Sequence, residues 1–176
     1  GFKRLLQDGR VYPNAYYAFD NVDRASATAT LSTGTYPYVN GIVGESWLDR
    51  SSLRIVNCVE DHKYQGVYTT VPMSPVRLKA ITVTDEMKRA TRGNAIVCSI
   101  APNEDMAVLT GGHAADAVLW KNNSTGYWCS SSYYGLYPSW AADKNKEIHG
   151  RSSKWEPLYP MEMYGHFGDK LPDGFK

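Results

Sequence analysis

Apolar positions recur at helical spacing from the first residues, where Phe2, Leu5 and Leu6 precede Gly9, a glycine placed to end the turn in the left-handed conformation. This opening reads as the end of a helix already under way, so the parent protein is expected to begin upstream. The stretch from Val11 to Tyr17 has the composition of a short strand. Asp23 then stands at an N-cap position before Arg24-Ala-Ser-Ala-Thr-Ala-Thr-Leu-Ser-Thr33, and Gly34 occupies the position just past the helix end. Serine and threonine are weak helix formers, so this helix is expected to be held by small side chains pressed against a sheet. Pro37 and Asn40-Gly41 mark a turn, and Glu45 to Thr70 is polar and broken, with no element predicted.

Order returns at Ser74-Pro75. A helix that starts between Leu78 and Thr82 runs through Asp85-Glu-Met-Lys-Arg-Ala90 and stops at Gly93, with Asp85 and Arg89 as a favourable i,i+4 pair. Ala95 to Ile100 is a short apolar run with the pattern of a buried strand in an α/β sheet. Met106 to Leu109 predicts another short helix before Gly111-Gly112. Val118 to Trp120 and Tyr127 to Ser130, separated by Asn122-Asn-Ser-Thr-Gly126, predict a hairpin. Tyr137 to Lys146 predicts a helix, and from about 150 onward Pro, Gly and aromatic residues predict an irregular tail. No internal repeat or low-complexity linker interrupts the chain.

The 176 residues suffice for one domain, able to bury about 70% of its unfolded surface, and leave no room for a second. Nineteen basic residues against eighteen acidic ones give a net charge of +1, which points to neither nucleic acid nor an anionic membrane. No apolar run approaches the ~18 residues of a membrane span. Cys58, Cys98 and Cys129 form no CxxC pair, and His62, His113, His149 and His166 form no HxxxH or HExxH, so neither a disulfide framework nor a self-contained zinc site is supported. GxSxG, P-loop and GxGxxG patterns are absent.

The segment Asp23 to Gly34, followed by Tyr36-Pro-Tyr-Val-Asn-Gly-Ile42, resembles the nucleophile helix of the alkaline phosphatase superfamily, which commonly ends in STG or YTG and leads to P-x-x-x-G-I. The likeness continues through Gly44-Glu-Ser-Trp-Leu-Asp-Arg50, Cys58-Val-Glu-Asp61, Met73-Ser-Pro75, Asp85-Glu-Met87, Gly112-His-Ala-Ala-Asp116, Trp120, Thr125-Gly126, Ser132-Tyr-Tyr134 and Trp155-Glu-Pro-Leu158. This order is most similar to the phosphate-irrepressible alkaline phosphatase branch, a relative of the type I phosphodiesterases and nucleotide pyrophosphatases, and it covers nearly the whole chain. The resemblance implies an α/β fold, a three-layer alkaline-phosphatase-like domain with a mainly parallel sheet and a small hairpin, of which residues 1–176 are an internal fragment. It also implies a two-zinc site and a small phosphoester substrate in the complete protein, and a periplasmic or secreted location. The family's metal ligands lie before this helix and far after it, so no metal is expected in this segment. The partner it implies is the remainder of the parent domain.

In that family a nucleophile at the mouth of the helix meets phosphorus beside free backbone amides and the positive dipole end. Counted back from Gly34, the family's Thr or Ser nucleophile corresponds to Arg24, which cannot attack phosphorus. The family's asparagine after the Gly-Ile turn corresponds to Glu45, and its Lys-x-Arg corresponds to Asn103-Glu-Asp105. These replacements weaken contacts to a phosphate dianion. Two readings follow. In one, Ser26 or Thr28 is the nucleophile of a divergent hydrolase; in the other, the site is degenerate and the domain binds or scaffolds without turnover.

Each candidate also has a plain structural role. Asp23 serves as an N-cap, and Arg24 either binds an anion or pairs with a neighbouring carboxylate. His113 among small residues fits a hydrogen-bonded structural position, while Glu60-Asp-His62 and Asp49-Arg50 fit solvated loop charges. The three cysteines fit small buried side chains. The paired tyrosines fit packing better than a ligand platform.

Overall fold

The computed structural model describes residues 2–135, 137–148, 158–160 and 163. The predicted irregular tail falls almost wholly outside them. Helix α1, Phe2–Asp8, has no buried residue; Phe2 is 87% exposed, and Gly9 closes the turn through its amide on the Leu5 carbonyl without a positive φ. No strand forms between Val11 and Tyr17. Pro13 lacks a donor there, and no neighbouring strand offers a partner.

Helix α2, Arg24–Thr33, begins on a capping box: the Asp23 carboxylate accepts the Ser26 amide, and the Ser26 hydroxyl accepts the Asp23 amide. It ends at Gly34, whose φ of 66° is the left-handed cap that glycine adopts without a Cβ penalty. Ala25, Ser26, Ala29 and Ser32 form its buried face. That face packs chiefly on a later helix, α5, rather than on the sheet. Small side chains let the two helix backbones approach closely, which compensates for the poor propensity of a Ser/Thr-rich segment. The short helix α3, Pro37–Asn40, turns the chain back toward the start of α2.

Strands β1, Ser46–Asp49, and β2, Arg54–Asn57, pair antiparallel in a hairpin of their own, inside the stretch where no element was expected. The main sheet has the order β3-β6-β5-β4, with β3 at Gly66–Val67, β4 at Cys98–Ala101, β5 at Ala117–Lys121 and β6 at Trp128–Ser131. It is mixed: β4 and β5 run parallel, while β5–β6 and β3–β6 are antiparallel, the former being the predicted hairpin. Helix α4, Val83–Ala90, precedes β4; α5, Glu104–Gly111, makes the crossover from β4 to β5; and α6, Ser139–Ile148, packs against β6. The fold class is thus the α/β fragment anticipated, with α2 outside α5 and α5 over β4 and β5.

The burial differs from the sequence reading in one respect. Ala95 to Ile100 was expected to be buried, but among the described residues β4 lies at the edge of the sheet: Val97 and Ser99 are buried, while Ile96 is 82% exposed and Cys98 is exposed as well. The continuously buried strand is β5, whose Ala117, Val118, Leu119 and Trp120 lie between β4 and β6. One core joins Ala25 and Ala29 to Ile42, Cys58, Val59, Val108, Leu109 and Val118. Each fully buried Val or Leu there contributes about 1.5–3 kcal/mol relative to exposure. Asp61, read as a solvated loop charge, is buried and accepts the Ser74 hydroxyl at 2.6 Å.

Asp85 joins α4 to the loop between α5 and β5. Its carboxylate accepts the amides of Thr82, His113 and Ala114 and faces the His113 Nδ1 at 3.0 Å. The hydroxyls of Tyr133 and Tyr134 donate to the His113 and Gly112 carbonyls, which gives that tyrosine pair and His113 structural roles. Burial works to raise the Asp85 carboxyl, but the Thr82 amide, the His113 ring and the Ala114 amide outweigh it and hold it below the ordinary carboxylate value. A lowered folded value stabilises fully above the unfolded value of about 4, and that contribution is lost as pH falls through the folded one. Asp85→Asn should therefore lower the urea midpoint of the full-length protein at neutral pH and cost much less near pH 3 (~1 unit below the unfolded value). An equal loss at both pH values would contradict this account.

Candidate functional site at the mouth of helix α2

The segment 43–45 lies across the N-terminus of α2. The Asp23 carboxylate that caps α2 through one oxygen also accepts the Glu45 amide through the other, at 2.6 Å, and so fixes Glu45 beside the helix mouth. Desolvation acts to raise the Asp23 carboxyl, yet the amides of Ser26 and Glu45 prevail and it lies below its usual range.

From this mouth Arg24 reaches two carboxylates. Its Nε–H donates to both oxygens of Asp105, at 3.0 and 2.8 Å, and its Nη2 lies 3.1 Å from Glu45 Oε1. Asp105 sits in the first turn of α5 and is 1% exposed; one oxygen also accepts the Met106 amide at 2.9 Å. The Asp105 hydrogen bond, acting with the nearby charges of Glu45 and Glu104 and against desolvation, raises the Arg24 guanidinium above its ordinary value. Of the two roles weighed for Arg24, the structure shows the ion pair.

The structure brings Arg24, Ser26, Glu45 and Asp105 together around Asp23. Ser26 is fully buried, and besides capping Asp23 its hydroxyl lies 3.3 Å from the carbonyls of Asn21 and Asp23. Thr28 is one turn further in, its hydroxyl donating to the Arg24 carbonyl at 2.7 Å. Asn103 is the N-cap residue of α5 and makes no side-chain capping bond. Cys58 was read only as a small buried side chain, but it also senses this site. Its thiol is pushed up to about 12 by burial and then by Asp105, Glu45 and Asp23. Beside the mouth, a cavity of about 540 Å³ is lined by Ala18, Phe19, Asn21, Tyr36, Pro37, Tyr38 and Val43.

Among the described residues no group of three or more His, Cys, Asp or Glu side chains is set to hold a metal ion. Asp23 accepts an amide on each oxygen and Glu45 pairs with Arg24 through one, and with no third ligand grouped with them among the described residues they do not make up a zinc ligand set.

The α/β layering and the capped helix facing a return loop define an alkaline-phosphatase-like domain fragment. The chain belongs to the type I phosphodiesterase / nucleotide pyrophosphatase family, whose model matches residues 1–170. It is 34% identical over 171 residues to the alkaline phosphatase PhoV of Synechococcus elongatus, a match covering 93% of this chain and 31% of that protein. The crystal structure of wild-type alkaline phosphatase PafA superposes with a TM-score of 0.73 at 29% identity, covering 80% of this chain and 29% of that one. A PafA variant in which a threonine, an asparagine, a lysine and an arginine are replaced superposes with the same TM-score at 30% identity. The chain thus spans about a third of the length of these relatives.

The Arg24–Asp105 pair is half sheltered, so its removal is costly from one side. Arg24→Ala would leave a buried carboxylate uncompensated and should destabilise by about 3 kcal/mol, whereas the paired replacement Arg24→Met with Asp105→Leu should cost much less. Equilibrium denaturation of both variants checks this; additive losses in the double variant would show that the pair is not coupled.

Proposed function

We propose that this chain is part of a phosphoester-hydrolase-type domain whose phosphoryl position has become an internal ion-pair network, so that the protein binds or scaffolds rather than hydrolyses. The observation that carries this reading is Arg24 held by Asp105 at 2.8 Å and by Glu45 at 3.1 Å at the mouth of α2. A nucleophile needs a lone pair to attack phosphorus, and a guanidinium that stays protonated offers only donors.

The substituted PafA variant supports the positional match. The interval between its threonine and asparagine equals that between Arg24 and Glu45, and a single residue separates its lysine from its arginine, as it does Asn103 from Asp105. On that match a hydroxyl has become Arg24, an amide Glu45, and two cations Asn103 and Asp105. Ser26 and Thr28 are the remaining hydroxyls. Ser26 would have to give up its cap to reach a substrate, and Thr28 faces the helix's own carbonyl. The zinc chemistry of the complete family would be supplied by residues outside this chain, in the periplasmic or secreted location that the resemblance implies.

The test is hydrolysis of p-nitrophenyl phosphate and of its bis ester by the full-length protein with added zinc, comparing wild type, Ser26→Ala and Arg24→Thr. Wild type and Ser26→Ala should be equally inert, and Arg24→Thr should gain little while Glu45 and Asp105 remain. Robust wild-type turnover that falls by about two orders of magnitude or more in Ser26→Ala would overturn the proposal and assign the nucleophile.

A further inference from the structure

The α2 mouth is more than a site without a nucleophile. A site for phosphate needs uncommitted donors and a positive field, and here acidic side chains compete for both. Nε of Arg24 is committed to Asp105 and Nη2 to Glu45. Against this single guanidinium stand Asp23, Glu45 and Asp105, with Glu104 close enough to act on Arg24. The same carboxylates act beyond Arg24: after burial, the negative charges of Asp105, Glu45 and Asp23 help to raise the Cys58 thiol. An incoming dianion would have to displace a carboxylate from Arg24 and sit among the remaining acidic side chains.

Resting on the reading of the preceding subsection, we propose that Asp105 and Glu45 are specificity-determining residues, resident carboxylate ligands of Arg24 that turn phosphate dianions away from the α2 mouth. Rejection of phosphate is then a property of binding, separate from the missing nucleophile. The two carboxylates differ in kind. Asp105 is buried and fixes the guanidinium in place, while Glu45, with its side chain 52% exposed, covers the outer side of it.

The experiment is calorimetric titration of inorganic phosphate and of orthovanadate into the full-length protein. The proteins compared are wild type, Glu45→Gln, Glu45→Gln/Asp105→Asn, and the latter with Arg24→Gln added. The double variant should bind at least about tenfold more tightly than wild type, and adding Arg24→Gln should abolish the gain. Glu45→Gln alone, at an exposed position, should give a smaller gain that also depends on Arg24, and it carries the test if Asp105→Asn does not fold. Phosphate affinity that is unchanged on neutralising these carboxylates, or a gain that persists without Arg24, overturns the proposal. The two proposals fail separately. An inert wild type whose neutralised variants still reject phosphate sinks this one alone, and wild-type diesterase turnover with phosphate still rejected sinks only the non-hydrolytic reading.

Discussion

The contact between Arg24 and Asp105 joins residues 81 positions apart and ties the first turn of α2 to the first turn of α5. Much of the described fold hangs on that seam. Helix α5 is the crossover that makes β4 and β5 parallel, and α2 packs mainly on α5, with Ala25 and Ala29 in the same core as Ala107 and Val108. A carboxylate 1% exposed in this seam is tolerable only while a cation and an amide satisfy it, and Arg24 and the Met106 amide do so. The same pair that packs the two helices therefore also fills the mouth of α2, and stability and site chemistry are not separable here.

A second carboxylate does the complementary work on the loop side. Asp23 both caps α2 and holds the Glu45 amide, so the position of Glu45 beside Arg24 follows from the helix cap rather than from its own side chain. Gly44 belongs to this device: a Cβ there would lie 3.1 Å from the Asp23 carboxylate. The loop thus lies close against the helix mouth, and Glu45 needs only to extend its side chain to meet the guanidinium.

What could be read from the sequence was mostly local. Helix α2 was legible because Asp23, the small-residue run and Gly34 are start and stop signals that act within a few residues. The β5–β6 hairpin was legible because its turn residues separate two apolar runs. The β1–β2 hairpin was not, since Leu48 and Ile55 face solvent and the expected alternation of buried and exposed apolar positions is blurred. The exposure of β4 and the packing of α2 on α5 depend on which elements neighbour which, and no periodicity encodes that. At the site, the four positions that the resemblance marks as altered could each be named, yet the long-range pairing among them could not. Arg24 with an acidic partner was one of two readings until the structure placed Asp105 and Glu45 on it.

If the proposed positional match holds, the pairing also explains why such replacements belong together. An arginine at the nucleophile position beside the family's lysine and arginine would crowd three cations at one helix mouth, whose dipole already disfavours positive charge. On the proposed match, Asn103 and Asp105 in place of those cations remove the repulsion and supply the carboxylate that Arg24 grips. Once Asp105 is buried against Arg24, the change resists reversal one residue at a time. Restoring a hydroxyl at position 24 alone strands the Asp105 carboxylate, and restoring a cation at position 105 alone sets it against Arg24. On the proposed reading, a route back to a phosphate-binding mouth must change both residues together, because the internal ion pair makes each single step costly.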